Sequence, residues 1–408
     1  MAEIIIDQPR PYQAIGSKSY RIDSIDLLRG LVMIIMALDH TRDFFHKGAW
    51  ISDPTNLATT TPFLFFTRWV THLCAPIFVF LAGTGAWFQS LRKSKKDLSL
   101  FLIKRGLWLL VVEIFIINFA FSFDVSFSII GLQTIWAIGI SMVILGLMVW
   151  LPFNIILVTG LLIVLGHNLL DYYEAGLKSS PGWWYDLLHR PGFYPLWGNH
   201  NLIILYPFLS WAGLMMLGYC FGKLFLKYES LQRKKMLLWL GLAILVFFVV
   251  VRFFDEYGDS AKWSTQKDSV FTFLSFMNLT KYPPSLLYMC ATVGIGILFL
   301  SLFANARNGL TKFITIYGRV PFLYYVLHFF LIHLVSSVFY LLRGHSVSEG
   351  LHPDQDGFLP KFAAANEGYS LFWVYIIWIC IVLSLYPLCR WFSNYKLKHK
   401  EKWWLSYL

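Results

Sequence analysis

SIDLLRGLVMIIMALDHTRDFF, Ser24 to Phe45, is long enough to cross a bilayer yet holds six ionisable residues: Asp26, Arg29, Asp39, His40, Arg42 and Asp43. Each charged group near a bilayer centre costs on the order of 2.5 to 3.5 kcal/mol on insertion scales, so the segment is more than an anchor. Steps of three and four residues return to the same helix face, which places Asp26, Arg29, Met33, Met36, His40 and Asp43 on one stripe. That stripe must face protein or a wet cavity. Arg29 and His40 share it about three turns, or roughly 16 Å, apart. The plainer reading is a polar seam that joins helices, but ionisable groups inside a span read by default as functional.

The rest of the chain sets the context. Of its 408 residues 57% are hydrophobic and only 14% charged, and the mean hydropathy is +0.59. These values define a polytopic membrane protein. The net charge of +11 is then a matter of topology, and no nucleic-acid partner is expected. The polar start, 1–23, leads into a run too long and too polar for a signal-peptide core, so no secretory cleavage is expected. Cys74, Cys220, Cys290, Cys380 and Cys389 lie in or at the ends of apolar runs without CxxC spacing and read as buried thiols.

Apolar runs near 24–45, 63–90, 99–121, 128–150, 152–170, 201–226, 236–254, 282–304, 313–340 and 370–392 predict an all-α fold of about ten transmembrane helices. The transmembrane domain is 24–392, preceded by the segment 1–23 and followed by a basic tail, 393–408. Segments on one side (1–23, 91–105, 222–236, 305–312, 390–408) carry 21 Lys and Arg, against 8 in 46–61, 171–200, 255–281 and 341–369. The positive-inside rule therefore predicts both termini in the cytoplasm. The long outer connections can build a surface for an outside substrate. One of them, SPGWWYDLLHRPGFYPLWGNHN, offers Trp183 and Trp184 for stacking on a sugar, or as an interfacial aromatic belt. No internal repeat and no inverted pair of broken helices is apparent, which weakens a secondary-transporter reading.

Two further runs repeat the polar theme. TRWVTHLCAPIFVFLAGTGAWF sets Arg68 and His72 one turn apart, then Pro76, where a kink is expected, then Gly83 and Gly85 for close packing. TIYGRVPFLYYVLHFFLIHLVSSVFYLL adds Arg319, Tyr324, Tyr325, His328 and His333. Arg68 and His72 are expected to line the same cavity as the first stripe. Histidine is suited to moving protons near neutral pH, and Asp39 and Asp43 stand where a carboxylate could orient His40. HExxH, zinc-type Cys/His spacing, GxSxG and a phosphate loop are absent, so no metal is expected and hydrolase readings have no foothold. Bis-histidine haem finds only weak support.

RIDSIDLLRGLVMIIMALDHTRDF, TRWVTHLCAPIFVFLAG, LIILYPFLSWAGLMMLGYCFGKLF, NLTKYPPSLLYM and YGRVPFLYYVLHFFLIH together resemble the bacterial membrane proteins related to heparan-alpha-glucosaminide N-acetyltransferase. The interval from Arg29 to His40 also resembles the first-helix motif of bacterial membrane O-acyltransferases that modify sugars. The resemblance implies acetyl-CoA as the acyl donor from the cytoplasm, a sugar or glycan acceptor on the outer side, His40 as the acyl-transfer histidine and Arg29 as its motif partner. In the lysosomal branch an asparagine stands at the position of Asp39 and the catalytic histidine falls later, near His46 to Trp50. His40 and His46 thus both remain candidates.

The sequence reading is an acyltransferase of the bacterial inner membrane, with a homo-oligomer compatible. His40, Asp39, Asp43 and His72 are the catalytic candidates, and Arg29, Arg68 and Arg319 those for holding the anionic donor. His46, His328, Trp183 and Trp184 are those for substrate. The rival readings are a transporter or flippase of an anionic glycolipid or sugar, and a haem-bearing subunit. The topology is tested by cysteine labelling from outside intact cells. A cysteine placed near Gly182 is expected to label and one at Lys95 to stay protected; the reverse pattern overturns it.

Overall fold

The computed structural model describes residues 23–353 and 359–406; all of the expected N-terminal segment except Asp23 lies outside the described residues. The chain is mostly helical. The deciding stretch is α1 (Asp23–Phe45), followed by α2 (Pro62–Thr71), α3 (Cys74–Ser90), α4 (Lys95–Val111) and α5 (Asn118–Ser122). Strand β1 (Ile129–Leu132) precedes α6 (Thr134–Met148), α7 (Phe153–Gly166), α8 (Leu169–Ala175) and α9 (Trp183–Leu188). Strands β2 (Gly192–Pro195) and β3 (Asn201–Ile204) lead to α10 (Phe208–Gly222), α11 (Leu224–Lys227), α12 (Ser230–Phe254) and α13 (Ser269–Met277). The chain closes with α14 (Leu286–Leu302), α15 (Gly309–Arg319), α16 (Pro321–Leu342), α17 (Val347–Leu351) and α18 (Leu371–Lys398).

Among the described residues six helical stretches are long and apolar enough to span a bilayer: Pro62–Ser90, Phe153–Ala175, Phe208–Lys227, Ser230–Phe254, Pro321–Leu342 and Leu371–Lys398. Their outer faces stay apolar, as at Trp239, Val246, Phe253 and Phe254 of α12 and Phe372, Trp373 and Leu383 of α18, all exposed. Water would penalise apolar faces of that extent, whereas lipid does not. The protein is an integral membrane protein. The charges of α1 keep it out of that set, and it is instead largely enclosed, with Val32, Met33, Ala37 and Phe45 in the core.

Glycines let the backbones around α1 touch. A Cβ on Gly318 would lie 1.8 Å from the Asp26 carbonyl oxygen, and one on Gly30 would lie 2.0 Å from that of Ile314, so α15 crosses α1 at backbone contact. Gly83 and Gly218 bring α3 and α10 together in the same way, with Cβ positions 2.1 Å from the carbonyls of Met215 and Phe80. Gly85, expected to serve close packing, meets nothing within 4 Å.

Several expected boundaries shift for identifiable reasons. Pro76 has no amide hydrogen, so the carbonyl of His72 lacks its helical partner and accepts the Tyr288 hydroxyl at 2.9 Å. The helix accordingly breaks at His72 and Leu73. Pro321 likewise divides the expected ninth span into α15 and α16. The all-α expectation holds in the main, but the apolar starts of two expected spans form a three-stranded sheet, ordered β1-β3-β2. There β3 pairs parallel with β1 (Gly131 opposite Ile203) and antiparallel with β2 (Phe193 opposite Ile203). Helix α18 runs on to Lys398, into the expected tail. All five cysteines are free, and Cys74, Cys220 and Cys389 are buried, but Cys380 is exposed on α18.

Two devices fix the connecting segments. Between α4 and α5, Val112–Ile117 winds as a π-helix whose Glu113, fully buried, accepts the amides of Gln133 (3.3 Å) and Trp136 (3.0 Å) and so caps α6. Arg252, also fully buried, donates to the carbonyls of Phe276, Ala261, Ser275 and Asn278 and to the Asp255 carboxylate. With Asp259, which accepts from Thr280 and Ser285, it holds the turn that carries Lys281 and Tyr282.

Gly318→Ala is expected to force the α1–α15 crossing apart and destabilise the protein by about 1–3 kcal/mol, as overpacking does. Gly166→Ala, with nothing within 4 Å of its Cβ, serves as the comparison. Thermal unfolding in detergent reads the difference, and equal midpoints would contradict the close crossing.

Candidate active site

The polar stripe of α1 faces two cavities set end to end. Toward its N-terminal end a cavity of about 400 Å³ is lined by Asp26, Arg29, Met33 and Met36, with Arg105 of α4, Arg319 of α15, Lys396 of α18 and Gln89 of α3. Toward its C-terminal end a cavity of about 390 Å³ is lined by Asp39, His40 and Asp43, with Trp50, Arg68, Gln133, Lys281 and Tyr282. Ile129 and Gly131 of β1 and Ile203 of β3 contribute to its wall, which is how the small sheet serves the site.

The first cavity is basic: its described lining holds four cations and one carboxylate. Arg29 reaches Asp26 at 3.2 Å and the Gly318 carbonyl at 3.4 Å, so the glycine crossing sets its position. Arg29 and Arg319, proposed together from the sequence, do meet here. Arg68 does not; it lies in the second cavity.

At the second cavity a cluster of four charges cancels. Asp39 is bound by Arg68 and by Arg42 at 3.0 Å, and Asp43 by Arg42 at 2.5 Å. Two carboxylates against two guanidiniums make their burial tolerable. Neither carboxylate bonds His40. The expectation that Asp39 or Asp43 orients that ring gives way to another arrangement, because both acids are taken by arginines.

His40 instead meets His328 of α16, Nδ1 to Nε2 at 2.7 Å, and stacks on Phe329 with centroids 4.0 Å apart. His328 is fully buried, and its Nδ1 lies 2.9 Å from the Tyr324 carbonyl. A carbonyl only accepts, so His328 carries its proton on Nδ1 and offers a lone pair at Nε2. His40 then donates from Nδ1, which leaves the lone pair of its Nε2 as the free one on a ring that lines the second cavity.

The other candidates fall elsewhere. His72 is buried at the break between α2 and α3, edge-on to Tyr288 at 5.4 Å, and lines neither cavity. His46 accepts the Gly48 amide at 3.2 Å and pairs through its backbone with Tyr369, outside both linings. Trp183 and Trp184 on α9 are 59% and 57% exposed and also lie outside them. Asp171, Glu174 and His189 are metal-capable side chains gathered within 4.8 Å, likewise outside both cavities; there His189 donates to Glu174 at 2.7 Å.

Sequence reasoning assigned no role to Arg105, Lys396, Lys281, Tyr282 or Asp124. Lys281 and Tyr282 stand inside the quoted NLTKYPPSLLYM block, and that clustering was their available signal. Asp124 lines the second cavity. Burial raises its pKa, but the hydroxyls and amides of Ser126 and Ser128 outweigh this and bring it down to about 2, leaving a fixed negative charge.

A multi-span helical protein whose central helix faces both a basic cavity and a histidine-bearing one is more than a membrane anchor. The catalytic domain of heparan-alpha-glucosaminide N-acetyltransferase matches residues 21–252, and the chain belongs to that family. An acetyltransferase-type function is what the match supports. It includes Arg29, His40 and Arg68, whereas Lys281, Arg319 and His328 follow it in the chain. No curated protein matches the chain.

Asp39→Asn is expected to leave two buried guanidiniums facing one carboxylate, at a cost of about 3–5 kcal/mol. A fall in the unfolding midpoint well beyond that of His40→Ala would show it; equal midpoints would mean the ion cluster is not what permits burial.

Proposed function

We propose that the protein moves an acetyl group from cytoplasmic acetyl-CoA to a hydroxyl or amine of a sugar or glycan on the far side of a bacterial inner membrane. The observation that carries this reading is the pairing of a basic cavity with a second one that holds a histidine with a free lone pair. The basic cavity suits the phosphates of the donor, since guanidiniums form forked, charge-assisted bonds to them. Arg29 and Arg319 hold that polyanion, with Arg105 and Lys396 beside them.

Ten spans with both termini cytoplasmic fit this arrangement. Loops assigned to the outer side touch one another, as where Lys47 meets Tyr369 and Asn278 meets Thr55. On the other side Arg307 pairs with Asp23.

His40 Nε2 takes the proton from the acceptor as its oxygen or nitrogen attacks the thioester carbonyl. The carbon–sulfur bond breaks, and the proton passes to the departing thiolate. In the two-step order, Nε2 attacks first and the thiolate leaves; the acceptor then displaces the acyl group from the ring, and its proton goes to the thiolate. Both orders need the Nε2 lone pair, which His328 secures by accepting from Nδ1. His328 is thus a positioning residue.

The test offers acetyl-labelled CoA with glucosamine to purified variants in nanodiscs. His40→Ala is expected to abolish transfer, and Arg29→Lys chiefly to raise the KM for the donor, since a point charge replaces a fork. Near-normal turnover in His40→Ala beside a dead His46→Ala would hand the role to His46. Substrate counterflow without acyl chemistry would favour transport instead.

A further inference from the structure

Three elements pass from one cavity to the other at a common level. On α1, Met33 and Met36 line the basic cavity, and Asp39 and His40 the other. Around α6, Ile135 and Ile138 belong to the first and Gly131 to the second, while Thr134 belongs to both. On α16, Phe322 lines the first and Phe329 the second, and Tyr325 lines both. Phe322 and Phe329 are roughly 10 Å apart along the helix, so Tyr325 marks the boundary. The residue is only 6% exposed, and its ring stands edge-on to His328 at 5.5 Å and to Phe329 at 5.3 Å. Phe329 in turn stacks on His40.

We propose that Tyr325, with Thr134, forms the neck between the two cavities and sets the length of acyl chain the enzyme transfers. This rests on the acyltransferase reading. A thioester carried from the basic cavity must pass this neck to reach His40 Nε2. An acetyl methyl fits beside the Tyr325 and Phe329 rings. Each further methylene must displace the Tyr325 ring or intrude into space that the acceptor needs, and the rings are fixed by their contacts with His328 and His40. Tyr325 is therefore a specificity-determining residue whose effect falls on the ratio between donors.

The experiment measures kcat/KM for acetyl-, butanoyl- and hexanoyl-CoA with glucosamine, reading CoA release with and without the sugar. Wild type, Tyr325→Phe, Tyr325→Leu and Tyr325→Ala are compared in nanodiscs. The acetyl preference over butanoyl is expected to fall by roughly 10- to 200-fold in Tyr325→Ala, the range over which methylene-sized fit discriminates. Tyr325→Leu should move the same way and covers the case in which the alanine variant does not fold. Tyr325→Phe, which keeps the ring, should retain the wild-type order of donors. Active leucine and alanine variants with an unchanged chain-length profile would overturn the neck while leaving the acyltransferase reading intact. A wild type that uses none of the three donors would overturn that reading, and the neck with it.

Discussion

The neutralisation of charge inside α1 is the constraint on which the rest depends. Asp39, Arg42 and Asp43 lie on a helix surrounded by others, and Arg68 arrives from α2 to complete a cluster of two acids and two bases. Remove the cross-helix member and a carboxylate is left facing an apolar interior. The cluster therefore fixes α2 against α1, and the break that Pro76 imposes ends α2 one turn beyond Arg68. Because both acids are occupied by guanidiniums, they are unavailable to His40, and the histidine finds its partner on α16.

How much of this was legible follows from the range of each interaction. The stripe on α1 could be read because helical periodicity is a local property, and its six members do line the two cavities. The pairing of His40 with His328 spans 288 residues, and nothing local announces it. Asp39 adjoins His40 in sequence, but consecutive residues on a helix point about 100° apart. His72 was placed in the cavity because it shares a polar helix face with Arg68, and the Pro76 break sets it against Tyr288 instead. The runs at Ile129–Leu132 and Asn201–Ile204 read as helix because a short, mostly apolar run looks the same to hydropathy in either conformation.

The loops carry more of the site than an apolar reading of the chain implies. Lys281 and Tyr282 reach the second cavity because Arg252 and Asp259 hold the turn on both sides through carbonyls, hydroxyls and amides. Backbone groups that would be unsatisfied in a loose loop are used as ligands for a buried guanidinium. The sheet does comparable work with three short strands, since residues of β1 and β3 close one wall of the cavity without a further helix.

The π-helix at Val112–Ile117 acts as a phase slip. An extra residue accommodated in one turn rotates everything that follows by about 100° relative to a regular α-helix. Asn118, placed just after the slip, donates to the Gly131 carbonyl at 3.1 Å and accepts the Gly131 amide at 2.6 Å, docking the helix end onto β1. Shortening this turn by one residue would leave composition and hydropathy almost untouched, yet it would swing Asn118 off the strand and Glu113 out of step with α6. The wall of the cavity is thus set by a count of residues as well as by their chemistry, and a chain with the same side chains in a different count would lack it.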